Sequence, residues 1–224
     1  MRRTFPALAA LLAWTGAAAA DPVVVELFTS QGCSSCPPAD ALMADLADRD
    51  DIIPLAFHVD YWDWIGWTDT FGDPAHSARQ RGYAEGAGSK TVYTPQFVVG
   101  GRAHVAGADG MALSETIAAQ ADATPDVLRV EGGALVLAPV AGGGRLLLVE
   151  VLPEAKVEIL HGENAGRVVD YHRIVRRVTD LGAWDGAAGT VPLPPATAGH
   201  ARVALAQAMP DGRPGPILGA VEID

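Results

Sequence analysis

The chain has only two cysteines in 224 residues, and they stand three positions apart in Gln31-Gly32-Cys33-Ser34-Ser35-Cys36-Pro37-Pro38. A nearly continuous apolar run rich in β-branched residues, Val23-Val24-Val25-Glu26-Leu27-Phe28, comes before them, as in a strand buried on both faces of a parallel sheet. After them Ala39, Leu42, Met43 and Leu46 recur at helical spacing, and Pro37 suits a first turn, where its missing N–H costs little. The pair is therefore placed at a strand-to-helix bend. Two thiols so spaced close a small disulfide, and unpaired N–H groups at a helix N-terminus favour the thiolate that attacks disulfides or binds metals. A zinc site usually needs two further ligands at short spacing, and no second pair exists. Redox exchange, metal binding or delivery, and a structural staple are the uses left open.

Residues Met1 to Ala20 carry Arg2 and Arg3, then an apolar stretch ending in Ala18-Ala19-Ala20. This reads as a secretory signal peptide, too short for a membrane span of about 20 residues, so the chain is expected to be periplasmic or secreted, with no membrane insertion after cleavage. Oxidising surroundings let a disulfide persist. Cleavage after Ala20 leaves 204 residues and moves the formal charge from −11 to −13. That acidity argues against nucleic acid and anionic membranes as partners.

Further along, Ile52-Ile53-Pro54-Leu55-Ala56-Phe57-His58-Val59 predicts a second buried strand, and Asp73-Pro74 opens a helix running towards Gly86. Val92 to Val99, the Gly100-Gly101 turn and Arg102 to Ala106 predict a hairpin with Pro95 at the start of its first strand. A third helix follows, with Asp109 near its start and Leu113 and Ile117 on its inner face. The order is β-α-β-α-β-β-α.

With the Cys-x-x-Cys ending the first strand and Thr94-Pro95 opening the third, this order resembles the thioredoxin-like fold across roughly Pro22 to Ala123. There is a narrower resemblance to a secreted bacterial family of thioredoxin-like proteins catalogued as a domain of unknown function. The resemblance implies that Cys33 is the nucleophile, that Cys36 is the buried resolving thiol, and that a cis Pro95, with Thr94, shapes the substrate groove. It also implies a buried acid beneath the resolving cysteine, for which Glu26 is the candidate, one residue further from the cysteines than usual. Gly32 stands where the family usually has Trp, which implies a flatter, more mobile surface. Pro37 and Pro38 imply a helix starting late, with Ser35 or Cys36 as its cap.

Tyr61, Trp62, Trp64 and Trp67 crowd one loop, as either a hydrophobic wall for peptide-like substrates, Trp62 and Trp64 foremost, or a small core that locks the loop. His58 ends a strand near the thiols. It reads as a structural histidine or, with Cys33 and Cys36, as a copper ligand. From Asp126 the pattern becomes short apolar runs separated by turns such as Gly142-Gly143-Gly144 and Glu163-Asn164-Ala165-Gly166. This predicts an antiparallel sandwich or barrel of about seven or eight strands. Arg173, Arg176 and Arg177 form a basic cluster there, read as a solvated strand face.

The expected organisation is thus a signal peptide over 1–20, a thioredoxin-like domain over 21–123 and a β-sandwich-like domain over 126–224, joined by a hinge at 121–125. The expected function is exported thiol–disulfide exchange on disulfide- or thiol-containing substrates, with an unidentified redox partner and no cofactor. The alternatives are a binding protein with Cys33–Cys36 as a permanent clasp, and copper delivery.

Overall fold

Strands β1 (Val23–Thr29) and β2 (Ile52–His58) are buried at every position, as their apolar runs require when both faces of a sheet are covered. They pair in parallel from Val23 opposite Ile52 to Thr29 opposite His58, with α1 (Pro37–Ala47) as the crossover. Helix α2 (Pro74–Gly86) starts where Asp73 accepts the Ala75 N–H at 2.7 Å. β3 (Gln96–Val99) then runs antiparallel to β1, and β4 (Ala103–Ala106) antiparallel to β3. Between them Gly100 and Gly101 take φ of 60° and 67°, the left-handed conformation a two-residue hairpin turn needs. Helix α3 (Gly110–Gln120) is capped by Asp109, which accepts from the N–H groups of Met111 and Ala112. This computed structural model describes residues 22–121 and 127–223, so the expected leader and most of the expected hinge lie outside the described residues.

The later strands are β5 (Leu128–Glu131), β6 (Ala134–Leu137), β7 (Gly144–Glu158), β8 (Val168–Trp184), β9 (Gly189–Pro192), β10 (Ala201–Gln207) and β11 (Ile217–Ile223). They do not make a sandwich of their own. Four of them continue the first sheet, giving eight strands in the order β11-β10-β7-β8-β2-β1-β3-β4, while β5, β6 and β9 form a separate three-stranded sheet. The join is a parallel pairing of β2 with β8 at Ala56 and Ile174. The molecule is a mixed α/β structure. Alternation of apolar and polar residues reports which segments are strands, and is silent about which free edge a strand will find.

One face of the sheet packs Val25, Leu27, Ala56 and Phe97 under α1 and α3. The other carries Val24, Phe28 and Phe57 under α2 and runs on through Leu147, Val149 and Leu205. Glu26 lies on this second face, fully buried. Arg79 grips it with Nε at 2.8 Å and Nη2 at 2.6 Å, and the Tyr83 hydroxyl donates to it at 2.8 Å. Gln207 closes the network, accepting from Arg79 at 2.9 Å and donating to Tyr83 at 2.7 Å. The four side chains satisfy one another and tie α2 to β1 and β10.

Removing one partner would leave a charge buried without compensation. Arg79→Met is therefore expected to cost roughly 3–5 kcal/mol, seen as a lower urea midpoint at unchanged m, and Glu26→Leu/Arg79→Met should recover most of it. A single-variant loss below about 1 kcal/mol would mean that water can reach Glu26.

Candidate functional site

After Thr29 the chain turns twice, with the Cys33 N–H donating to the Ser30 carbonyl at 3.1 Å and the Cys36 N–H to the Cys33 carbonyl at 3.2 Å. Cys36 is the N-cap of α1 and the two prolines fill the first turn, so Cys33 sits outside the helix. Cys33 and Cys36 form a disulfide with Cα atoms 5.4 Å apart. Both are buried, at 1% and 0% exposure, and only Ser34 and Ser35 of this loop face solvent. The Thr94–Pro95 peptide is cis. The Ser35 hydroxyl lies 3.4 Å from both Cys33 Sγ and the Thr94 carbonyl oxygen, and its one proton serves them in turn. Trp62 Nε1 donates to Thr94 Oγ1 at 2.7 Å. Gly32 is buried rather than part of an open surface, and a Cβ there would come within 3.2 Å of Trp62 and Ile65. The aromatic loop fills that space.

Behind the disulfide lies a buried polar group of four residues. Asp40 is four positions after Cys36 and so on the same inward helix face. It is 3% exposed. Its Oδ1 accepts from the Thr29 hydroxyl at 2.7 Å, and its Oδ2 has no partner among the described residues. Burial pushes the Asp40 carboxyl up to about 7 against the pull of His58 and the Thr29 hydrogen bond. His58, wholly buried, donates from Nδ1 to Asp69 Oδ2 at 2.8 Å, and its Nε2 has no partner among the described residues. Burial alone would raise Asp69 as well. The His58 ring and the N–H groups of Gln31 and Phe71 overcome it and hold this carboxyl below its ordinary range. Tyr171 packs edge-on against His58 at 5.0 Å, and its hydroxyl is pushed far up by burial and then by the carboxyls of Asp40 and Asp69. Two acids thus share one buried region in different states, Asp69 ionised and Asp40 poised near neutrality.

Two further segments enclose the cysteines. Gln31 donates through its N–H to Asp69 and accepts from Trp67 Nε1 at 2.8 Å, which fastens the aromatic loop to the cysteine loop. The tip of the β7–β8 hairpin lies on top. There Asn164, 1% exposed, donates from Nδ2 to the carbonyls of Gln31 at 3.0 Å and Cys33 at 2.8 Å, while its Oδ1 has no partner among the described residues.

The structure therefore brings Cys33, Cys36, Thr94, Pro95 and Trp62 together. Trp64 belongs to the same loop but stands in solvent, 80% exposed. Glu26 is not beneath Cys36: successive strand residues alternate faces, and Glu26 falls on the α2 side, where Arg79 holds it. His58 Nδ1 is committed to Asp69, and among the described residues no three His, Cys, Asp or Glu side chains are grouped to hold a metal ion. The residues that sequence reading missed are Asp40, Asp69 and Asn164. For Asp40 a signal existed, an acid one helical turn after Cys36.

Residues 24–208 match the family described as "Protein of unknown function (DUF1223)". The chain belongs to this family. Among solved structures, a structural-genomics protein from Agrobacterium tumefaciens is 32% identical, with a TM-score of 0.80 over 92% of this chain and 96% of its own. HBP35 of Porphyromonas gingivalis shares the fold at a TM-score of 0.60 and 16% identity, over 93% of this chain and 76% of that one. No curated protein sequence matches. The DUF1223 match takes in Cys33, Asp40, Thr94-Pro95 and Asn164, so the hairpin over the disulfide lies inside the family unit.

Asp40 gives a prediction with a definite sign. Its carboxyl keeps a proton to about pH 7 in the folded chain and loses it near 3.8 in the unfolded one. Its contribution to stability is then complete below pH 3.8 and is lost as pH rises to about 7, at up to about 1.4 kcal/mol per unit. Asp40→Asn should flatten this decline in urea unfolding between pH 4 and 8 with the disulfide intact. An unchanged slope would show that Asp40 titrates as a solvated acid.

Proposed function

We propose that the chain is an exported thiol–disulfide oxidoreductase, working in the periplasm or outside the cell, with a thioredoxin-like N-terminal half. One observation carries this reading: a buried, half-unpartnered carboxyl near neutrality stands one turn below Cys36. A structural staple has no use for such a group, whereas exchange through a buried thiol needs a proton acceptor. Thr94 beside the disulfide, in contact with Ser35 and Trp62 where the resemblance implies the substrate groove, supports the same reading.

In the reducing direction Cys33 thiolate attacks a substrate disulfide, forms a mixed disulfide and expels one substrate thiolate, which takes a proton from water. Cys36 then gives its proton to the Asp40 carboxylate and attacks Cys33 Sγ, expelling the second substrate thiolate. Two electrons pass from the dithiol to the substrate. Oxidation of a substrate dithiol is the same path reversed, and a second thiol–disulfide couple resets the enzyme. His58 and Asp69 fix the electrostatic surroundings of Asp40. Because Asn164 roofs Cys33, the hairpin tip lifts before a protein disulfide reaches the sulfur, and Trp62 and exposed Trp64 then meet the incoming chain.

Burial of both cysteines under Asn164 also favours a second reading, a binding protein with a permanent Cys33–Cys36 clasp. A redox titration in glutathione buffers, with alkylation and mass readout of the cysteine pair, separates the two. A potential between about −270 and −120 mV is expected of an exchange catalyst, and a value below about −300 mV would establish the clasp. Cys36→Ser should trap substrates on Cys33 in cells, and empty traps would count against catalysis. Asn164→Ala removes the two hydrogen bonds that close the roof. It should speed reduction by dithiothreitol about ten-fold or more, the kinetic equivalent of about 1.4 kcal/mol. An unchanged rate would mean that the roof does not gate the sulfurs.

A further inference from the structure

On the α2 side of the sheet, away from α1 and the disulfide, a cleft of about 550 Å³ opens between the first turns of α2 and the β7–β8 ribbon. Phe57, Leu147, Met209 and Pro214 give it an apolar lining. Around it stand Arg79, Arg145, Arg176 and Arg177, against Asp73 and Asp180. Four of the chain's 16 cationic side chains and two of its 27 acidic ones thus line one cleft, which reverses locally the sign of a protein of net charge −11.

The four arginines are not equally available. Arg79 is committed to Glu26, and Arg145 is paired with Asp180. Arg177 reaches Glu150 at 3.3 Å but is 72% exposed, so that pair is weak. Arg176 lies over the Phe71 ring at 5.2 Å and has no carboxylate partner among the described residues. Arg176 is therefore the guanidinium free to take an anion, with Arg177 loosely held at the rim.

Their placement is the work of an irregular strand. Neighbours on a regular strand point to opposite faces, so Arg176 and Arg177 would not ordinarily share a site. In the β7–β8 ladder Glu150 faces Arg177 while Val151 faces Val175, which leaves Arg176 as an extra, bulged residue. A second shift leaves Leu181 extra, because Leu146 faces Gly182 and Leu147 faces Asp180. Between these bulges Arg176, Arg177, Val178 and Asp180 all line the cleft. Bulges commonly re-aim side chains beside functional sites, and the extra residue here sends Arg176 to the α2 side, over the Phe71 ring, while Arg177 keeps with its register partner Glu150 at the rim.

We propose that the cleft binds an amphipathic organic acid, with its carboxylate held by Arg176 and its aryl or alkyl body against Phe57, Leu147 and Met209. Forked N–H donors match a carboxylate, and a pocket of this size with an apolar lining suits a small organic molecule. The site is separate from the disulfide and does not depend on the redox reading.

The test is calorimetric titration of the disulfide-intact protein with 4-phenylbutyrate and with decanoate, each beside its neutral amide. At least one acid should bind with Kd of about 1 mM or tighter, and its amide about ten-fold or more weaker. Arg176→Ala, a change confined to one exposed side chain, should weaken the acid about ten-fold or more with an unchanged circular dichroism spectrum. Cys33→Ser/Cys36→Ser should bind as the parent does. No acid binding at these concentrations, equal binding of acid and amide, or full affinity in the arginine variant would each overturn the proposal.

Discussion

Strand β2 has two edges inside the protein, and both must find hydrogen-bonding partners. β1 takes one in parallel register along seven residue pairs, and β8 takes the other at Ala56 and Ile174. Everything distinctive in the molecule follows from that second pairing. It draws the β7–β8 hairpin across the sheet, so that Tyr171 reaches His58, Asn164 roofs Cys33, and Arg176 and Arg177 stand opposite α2. A second half packed as an independent sandwich would leave the disulfide open and the cleft without its arginine wall.

The two faces of the sheet handle buried polarity in contrasting ways. On the α2 side, Glu26, Arg79, Tyr83 and Gln207 donate and accept in a closed set. Such a set holds elements together and resists change, because every member is satisfied. On the α1 side, Asp40 Oδ2, His58 Nε2 and Asn164 Oδ1 are buried without partners among the described residues, and all three belong to the surroundings of the disulfide. Unsatisfied buried groups cost stability, so their concentration around one pair of sulfurs marks the region where the proposed proton transfer to Asp40 takes place.

The aromatic loop shows how the two readings of a sequence feature divide between residues. Trp67 is packing, pinned to Gln31 and set against His161 at the hairpin tip, and Trp62 is anchored on Thr94 while crowding Gly32. Trp64 alone is left to solvent. Glycine at position 32 suits this packing, since a Cβ there would press on Trp62 and Ile65 of the loop that covers it.

Local patterning by itself determined the strand runs, the three helices with their Asp73 and Asp109 caps, the Gly100-Gly101 turn and the bend that carries the cysteines, because each depends on neighbours a few residues apart. It also placed an acid, Asp40, one turn after Cys36. What only the tertiary structure decided is which faces and edges meet. Glu26 turned to Arg79 rather than to Cys36, Asn164 met Cys33 from 131 positions away, and Arg176, read as part of a solvated strand face, came to line a cleft because a bulge re-aimed it. Pairing of strand edges and the alternation of side chains across a sheet are set by long-range contacts, and a one-residue shift in either sends a side chain to the opposite face.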